Sequence, residues 1–258
     1  MAQQKILLFA LPAAVLVYIA IAAPYPYYAT WDSSQVFTLD ALIAGAGQLP
    51  DHFFHPNAIP LVLYRLLLPI GELLGCISVS SIEELQSLSN PYLAFAETTR
   101  YLIAVGAVFA FVFLAFMCST LFELLEPCAK SLRGRSARFL ALTAAALALT
   151  WKSFPFMLIW VRHETIGLSL WSIALYSTVR AARAPQRGAW VLLAGFFSGA
   201  AMLCKMQLIG GVLALPFLYV FLSNGSPALP SPKKRLVLVA LAFGVFAFLS
   251  ALHLWTYS

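Results

Sequence analysis

Five ionisable side chains, Asp32, Arg100, Arg162, Glu164 and Lys205, each stand where an apolar run begins or ends. Ionisable groups beside lipid cost roughly 2.5–3.5 kcal/mol each on insertion scales, so their default reading is functional. They come from separated stretches, yet the topology derived below puts all five at the outer face of a membrane. Three cations and two acids at one depth suit a lipid-borne anion. The cations can clamp a phosphate, and a carboxylate can take a proton from an acceptor hydroxyl. The lipid tail stays in the bilayer.

Each of these residues also has a plainer reading. Asp32 can serve only as a helix N-cap. Arg100 and Lys205 can be snorkelling anchors, and Arg162 and Glu164 can pair with each other or with lipid head groups. Asp40 follows Asp32 by eight positions, about two turns along a neighbouring part of the same face. Its plainer reading is a solvated polar side chain. His55 precedes Pro56 and reads as a turn residue or as a group that orients the loop. His52, His163 and His253 have no partner that the sequence names. Gly195 and Gly199 form a GxxxG, a pattern of close helix packing. The four cysteines, Cys76, Cys118, Cys128 and Cys204, make no CxxC pair and no His-Cys ligand set, so they read as small apolar residues. No metal site is argued from isolated acids.

The elements that position these groups follow from composition. Of 258 residues, 62% are hydrophobic and 10% charged, whereas soluble domains carry about 25% charged residues. The chain cannot clothe itself in polar surface, so lipid is its solvent. A net charge of +6 on so apolar a chain is no nucleic-acid footprint. A crossing helix needs about 20 mostly apolar residues. Residues 6–23, 101–122 and 236–255 qualify. Residues 188–204 and 207–223 are shorter and form a hairpin around Lys205. The stretch 138–179 reads as two helices that turn at or just inside the membrane face, broken by Lys152, Pro155 and Arg162-His163-Glu164.

Seven crossings starting with Lys5 inside place 11 of the 16 basic residues in cytoplasmic segments and eight of the ten acids outside. Every cytoplasmic loop is then basic, as the positive-inside rule requires. The expectation is an all-α polytopic membrane protein of about seven transmembrane helices, its N-terminus cytoplasmic and its C-terminus extracytoplasmic. Residues 1–258 form a single membrane domain: a first span at 1–23, a first extracytoplasmic loop at 24–100, and six further spans over 101–255. Met1–Lys5 and the apolar run after it also resemble a cleavable signal peptide, although the run is long for one.

The long first loop is expected to carry structure of its own, as long loops that function do. Tyr25, Tyr27, Tyr28 and Trp31 suit the lipid–water boundary. Asp32, Ser33 and Ser34 offer caps to a helix over about residues 34–45, with Val36, Leu39 and Ile43 as its apolar stripe and Gly45, Gly47 and Pro50 as its stop. Residues 60–75 are apolar but short, and Arg65, Pro69 and Glu72 interrupt them, so they predict a second interfacial or re-entrant helix. Ser81-Ile82-Glu83-Glu84 has the form of a capping box, and Asn90-Pro91 marks a turn.

Taken in order, these motifs resemble the GT-C superfamily of membrane glycosyltransferases, which includes protein O-mannosyltransferases and the transferases that move aminoarabinose onto lipid A. Thr30-Trp31-Asp32-Ser33 resembles the segment after the first span that bears the family's essential acid. Phe54-His55-Pro56-Asn57, followed by Pro60-Leu61, resembles a His-Pro-Pro-like element. Thr99-Arg100-Tyr101-Leu102 resembles the arginine that opens the second span. Arg162-His163-Glu164-Thr165 resembles an Arg-x-Glu-like element before the fourth. Gly195, Gly199 and Leu203-Cys204-Lys205 resemble a Gly-rich fifth span ending in lysine. The resemblance runs over nearly the whole chain, on short and degenerate motifs whose order carries the weight. It implies two or three juxtamembrane helices in the first outer loop.

The resemblance further implies an inverting transferase that moves a sugar from a polyprenyl-phosphate donor to a lipid or glycan acceptor hydroxyl at the extracytoplasmic face. Asp32 would be the base. Lys205, Arg162 and Arg100 would hold the donor phosphate, and His55, Glu164 and Asp40 would orient the loop or the substrate. The implied setting is a multi-pass protein of a bacterial inner membrane rather than the endoplasmic reticulum. No cofactor is called, and a divalent metal is not argued. The sequence departs from the pattern at Ser33, where many relatives have a second acid, and at Asn57, where they have proline. It ends at Ser258, where most relatives continue, which leaves a fragment, a minimal form or a non-catalytic relative open. The rival readings are a non-catalytic membrane subunit or lipid-carrier binding module, with a partner subunit completing the site, and a transporter. For the transporter, no convincing pair of inverted repeats is found.

Overall fold

The computed structural model describes residues 33–48, 50, 58–131, 163–183, 187–204 and 208–223. Asp32, His55, Arg162 and Lys205, and the spans expected at 6–23 and 236–255, lie outside the described residues. Seven helices are described, and no strand is found among the described residues: α1 (Ser33–Gly45), α2 (Ala58–Leu73), α3 (Ile82–Ser87), α4 (Pro91–Ser131), α5 (His163–Arg183), α6 (Arg187–Cys204) and α7 (Ile209–Ser223). The all-α expectation holds among them.

The three helices expected in the first outer loop are present, and local chemistry sets their ends. After α1 the chain enters the left-handed region at Gly47, φ 77°. The amide of Gly47 donates to Ala44 and that of Gln48 to Ile43, the paired bonds of a Schellman cap. α2 ends the same way: Gly75 has φ 69°, with Gly75 donating to Glu72 and Cys76 to Gly71. The Ser81 capping box is formed in both directions at the start of α3. Pro91 opens α4, where its missing N–H costs nothing.

α4 starts well before residue 101, the expected start of the second span, because nothing between Pro91 and Tyr101 breaks a helix. Its 41 residues give a rod about 60 Å long at 1.5 Å per residue, against a hydrocarbon core of about 30 Å. Pro91–Leu124 is the one stretch among the described residues long and apolar enough to cross a membrane by length and composition; Gln35–Gly45, Gly188–Cys204 and Ile209–Ser223 are shorter apolar helices.

The directions of the long helices follow from their contacts. Ser169 of α5 donates to the Phe109 carbonyl of α4, Phe116 packs edge-on against Tyr176, and Arg180 pairs with Glu123 at 2.8 Å. Residue numbers rise together along both helices, so α4 and α5 run parallel. The end of α4 and the start of α5 therefore lie at opposite ends of the bundle. α6 returns antiparallel to α5, with Gly167 close to Cys204 and Tyr176 close to Trp190. α7 runs with α5 again, with Gly211 set against Trp171 and Tyr219 packed near Ala181 and Ala182.

The bundle exposes apolar side chains in stripes: Val62, Leu66, Ile70 and Leu73 on α2, Leu192, Leu193 and Phe196 on α6, and Ile209, Leu213, Phe217, Val220 and Phe221 on α7. Surface of this kind on several helices at once suits lipid and not water.

Candidate functional site

One end of the bundle gathers the beginnings of α4, α5 and α7 and the last turn of α6. The first-loop helices cover that end. Their joint core contains Ala41 and Leu42 of α1, Tyr64 and Leu68 of α2, Ile77, Val79, Ile82 and Leu85 around α3, Ala94 and Leu102 of α4, Ile166 of α5 and Cys204 of α6. The α2 residues inside it, with Pro60 and Gly71, recur at helical spacing, so α2 buries one face and leaves Arg65 and Glu72 exposed.

Two close approaches seat this layer. Gly71 has no Cβ, and the Tyr101 ring occupies the space, 2.7 Å from where one would stand. The Tyr101 hydroxyl donates to the Leu67 carbonyl at 2.8 Å. Between α1 and α4, Thr99 donates to Thr38 at 3.1 Å, with both side chains buried. Thr98 returns its hydroxyl to the Ala94 carbonyl.

α1 thereby turns over the expected face. Val36 and Ile43 are only half-buried and Leu39 is exposed, while Thr38, Asp40, Ala41 and Leu42 are buried. The reason is packing: a small, hydroxyl-bearing face lets α1 approach α4 and α2 closely, and the larger apolar side chains point outward. Asp40 goes inside with this face. It is 2% exposed, which overturns its reading as a solvated side chain.

Tyr64 joins the pieces. Its side chain is 2% exposed, and its phenol is pushed well above the usual tyrosine value, first by burial, then by Cys204, Glu164 and Asp40 nearby. The group therefore stays protonated at any physiological pH. Two carboxylates from distant parts of the sequence, one on α1 and one in the first turn of α5, thus act electrostatically on one phenol; Asp40 is buried and Glu164 half-buried. Asp40 Oδ1 and Glu164 Oε2 are both fully buried.

The expected site residues divide accordingly. Asp40 and Glu164 both lie near enough to Tyr64 to raise its phenol electrostatically. Arg162 and Lys205, which precede His163 of α5 and follow Cys204 of α6 in sequence, lie outside the described residues. Asp32 adjoins Ser33, the first residue of α1. Arg100 is exposed, on the stripe of α4 that also bears Leu93, Ala104 and Val108. It lies apart from the buried face formed by Thr98, Thr99 and Leu102, so the structure does not bring it to the Tyr64 cluster. Among the described residues no group of three or more His, Cys, Asp or Glu could hold a metal ion. Of the cysteines among the described residues, Cys118 and Cys204 are buried free thiols and Cys76 is an exposed one. Tyr64 itself carried no signal in the sequence: it sits in an apolar run, and only its contacts single it out.

At the opposite end, the Arg180 guanidinium bonds Glu123 and lies 5.6 Å from the Trp190 ring centre. These are the ends assigned to the cytoplasm by charge.

No curated protein matches the chain, and no solved structure does. The family model of dolichyl-phosphate-mannose-protein mannosyltransferases matches residues 130–253. That segment holds α5, α6 and α7 with Arg162, Glu164 and Lys205, and stops short of Asp40, Tyr64 and Arg100. By this match the chain is similar to dolichyl-phosphate-mannose-protein mannosyltransferases, and the resemblance to GT-C glycosyltransferases drawn from its motifs is borne out.

Proposed function

We propose that the chain transfers a sugar from a polyprenyl-phosphate donor to an acceptor hydroxyl at the extracytoplasmic face of a membrane, with inversion at the anomeric carbon. The observation that carries this reading is the joint core of Leu42, Tyr64, Leu102, Ile166 and Cys204, at the end where the matched family segment meets the first-loop helices. Asp32 is the base. It takes the acceptor proton as the acceptor oxygen bonds to the anomeric carbon, and the bond from that carbon to the phosphate oxygen breaks. The transition state is oxocarbenium-like, as in glycoside hydrolysis. The lipid phosphate leaves with the bonding pair, and Arg162 and Lys205 stabilise the charge it gains. Arg100, on the exposed stripe of α4, holds the donor's head group from the lipid side. His55 orients the loop, and Asp40 and Glu164 orient the substrate and its surroundings from within the protein.

The parallel run of α4 and α5 supports the proposed arrangement of seven crossings. The basic last turn of α5, Arg180 and Arg183, at the end opposite the first-loop helices, supports an N-terminus in the cytoplasm. We propose a bacterial inner membrane rather than the endoplasmic reticulum as its setting.

Reconstitution into vesicles with radiolabelled polyprenyl-phosphate mannose and a glycan acceptor tests the reaction. Wild type should transfer label and Asp32→Asn should lose at least about a hundredfold, the usual loss for a missing general base. Tight binding of the donor with no transfer by wild type would instead mark a carrier-binding module. Movement of label across the vesicle with no new bond would mark a transporter.

A further inference from the structure

The long helices do not end at one level on the side of the first-loop layer. Ser169 of α5 bonds the Phe109 carbonyl of α4, and farther along both helices Arg180 pairs with Glu123, so α4 and α5 keep register. Cys204, the last residue of α6, lies 3.1 Å from where a Cβ on Gly167 would stand, two residues before Ser169. Arg100 stands nine residues before Phe109. At 1.5 Å per residue, the end of α6 is therefore about 10 Å deeper than Arg100. Between Arg100 and Glu123 no residue of α4 is charged, and the helix rises about 35 Å there. That matches a hydrocarbon core of about 30 Å with a charged side chain reaching out at each end. The recess over α6 thus lies inside that core.

α2 crosses this recess. Tyr64 and Leu68 enter the core that holds Cys204 of α6 and Ile166 of α5. Farther along the helix, Gly71 meets the Tyr101 ring of α4, and the Leu67 carbonyl accepts from the Tyr101 hydroxyl at 2.8 Å. A helix with its side chains is about 10–12 Å across, so one helix fills the missing depth.

The surface of α2 agrees with that place. At 100° per residue it divides into three parts. Pro60, Tyr64, Leu68 and Gly71 form the buried face. Val62, Leu66, Ile70 and Leu73 lie nearly opposite, and all four are exposed. Arg65 and Glu72, exposed and two turns apart, lie about a quarter turn from each face. The Arg65 guanidinium reaches the turn that ends α1, where Gln48 bonds Glu83 of α3. A helix resting on a protein in water sets its polar side opposite its buried face. Here the opposite side is apolar and the polar residues occupy one flank. That division suits protein on one side, lipid on the other and water above. The last turn of α2 is closed by the Gly75 and Cys76 amides, as backbone beside lipid requires.

We propose that the Val62–Leu66–Ile70–Leu73 face of α2 is a surface for the acyl chains of the adjoining leaflet. α2 lies sunk in that leaflet, over the short end of α6, with its Arg65–Glu72 flank toward water. The proposal does not depend on the transferase reading.

The test uses the full chain, with Cys76 and Cys128 replaced by serine, in nanodiscs of phosphatidylethanolamine and phosphatidylglycerol. A nitroxide is attached in turn at Leu66→Cys, at Val108→Cys on the exposed stripe of α4, and at Gln86→Cys on α3. The α3 position is the water reference, because Ser78 before α3 bonds Glu97, outward of Arg100. All three side chains are exposed, so the label displaces no packing. Collision with oxygen reports hydrocarbon, and collision with a polar nickel chelate reports water. The ratio of the two at position 66 should equal that at 108 and exceed that at 86 by about tenfold or more. A ratio at 66 equal to that at 86 would put the face in water and overturn the proposal. A label at 66 shielded from both reagents would put a protein surface there and overturn it as well. If Leu66→Cys does not fold, Val62→Cys on the same face carries the label with the same expected ratios.

Discussion

Gly45 sits where α1 meets the turn before α3, and a Cβ there would collide with the Ser80 carbonyl oxygen. The obstacle is backbone, which cannot rotate away as a flexible side chain could. Gly45→Ala must push α1 off the Ser80 turn, and overpacking of this sort costs about 1–3 kcal/mol. The variant should melt below wild type, and because Asp40 and Thr38 ride on the same short helix, it should also lose sugar transfer. A melting temperature equal to that of wild type would mean that the contact relaxes freely. Asp40 illustrates the complementary case at this scale. A carboxylate with about two turns of helix between it and the proposed base is buried because its neighbours Thr38, Ala41 and Leu42 form the packing face, not because its own chemistry prefers the interior.

At the scale of elements, the short α3 helix has too few residues to hold itself, since isolated helices below about 12–15 residues are marginal in water. It persists through its capping box and through burial of Ile82 and Leu85. Ser81→Ala removes the hydroxyl that accepts from the Glu84 amide, and such a loss costs about 1 kcal/mol. A lower melting temperature, with transfer reduced only modestly, is the expected result, because α3 supports the layer from outside and contributes no charge to the Tyr64 cluster. Loss of transfer as large as that of Asp32→Asn would give α3 a more direct part. α1 carries a different lesson: Val36, Leu39 and Ile43 mark an apolar stripe by spacing, yet this stripe is the more exposed side. Beside lipid, an apolar face has two places to go, and the small face wins the protein contact because it permits closer approach.

For the whole molecule, the parallel pairing of α4 with α5, sealed at Glu123–Arg180, puts the ends of the bundle on record independently of loop charge. Two exposed positions mark these ends. Cys76 is an exposed free thiol in the layer around the Tyr64 cluster, and Gly188 has open space around it at the start of α6, the other end. In a Cys128→Ser background, a membrane-impermeant maleimide added to intact cells should label Cys76. A cysteine introduced by Gly188→Cys, with Cys76 replaced by serine, should react only after the membrane is opened. The reverse pattern would invert the orientation and move the site to the cytoplasmic face, where a donor displayed outside could not reach it.

Much of the architecture was legible in the residues. The helices over Ser33–Gly45, Ala58–Leu73, Arg187–Cys204 and Ile209–Ser223 follow from apolar run lengths, glycine stops and caps, since these are local signals. The capping box at Ser81 was readable for the same reason. Glu164 was legible as a candidate by its charge at the end of an apolar run. Tyr64 was not legible, nor was the burial of Asp40 or the outward turn of Arg100. Helical periodicity states that a helix has faces, whereas the choice of which face meets which neighbour belongs to long-range packing. Only tertiary structure brings position 40 beside positions 64, 164 and 204, because the energy that decides it comes from close approach between elements far apart in the chain.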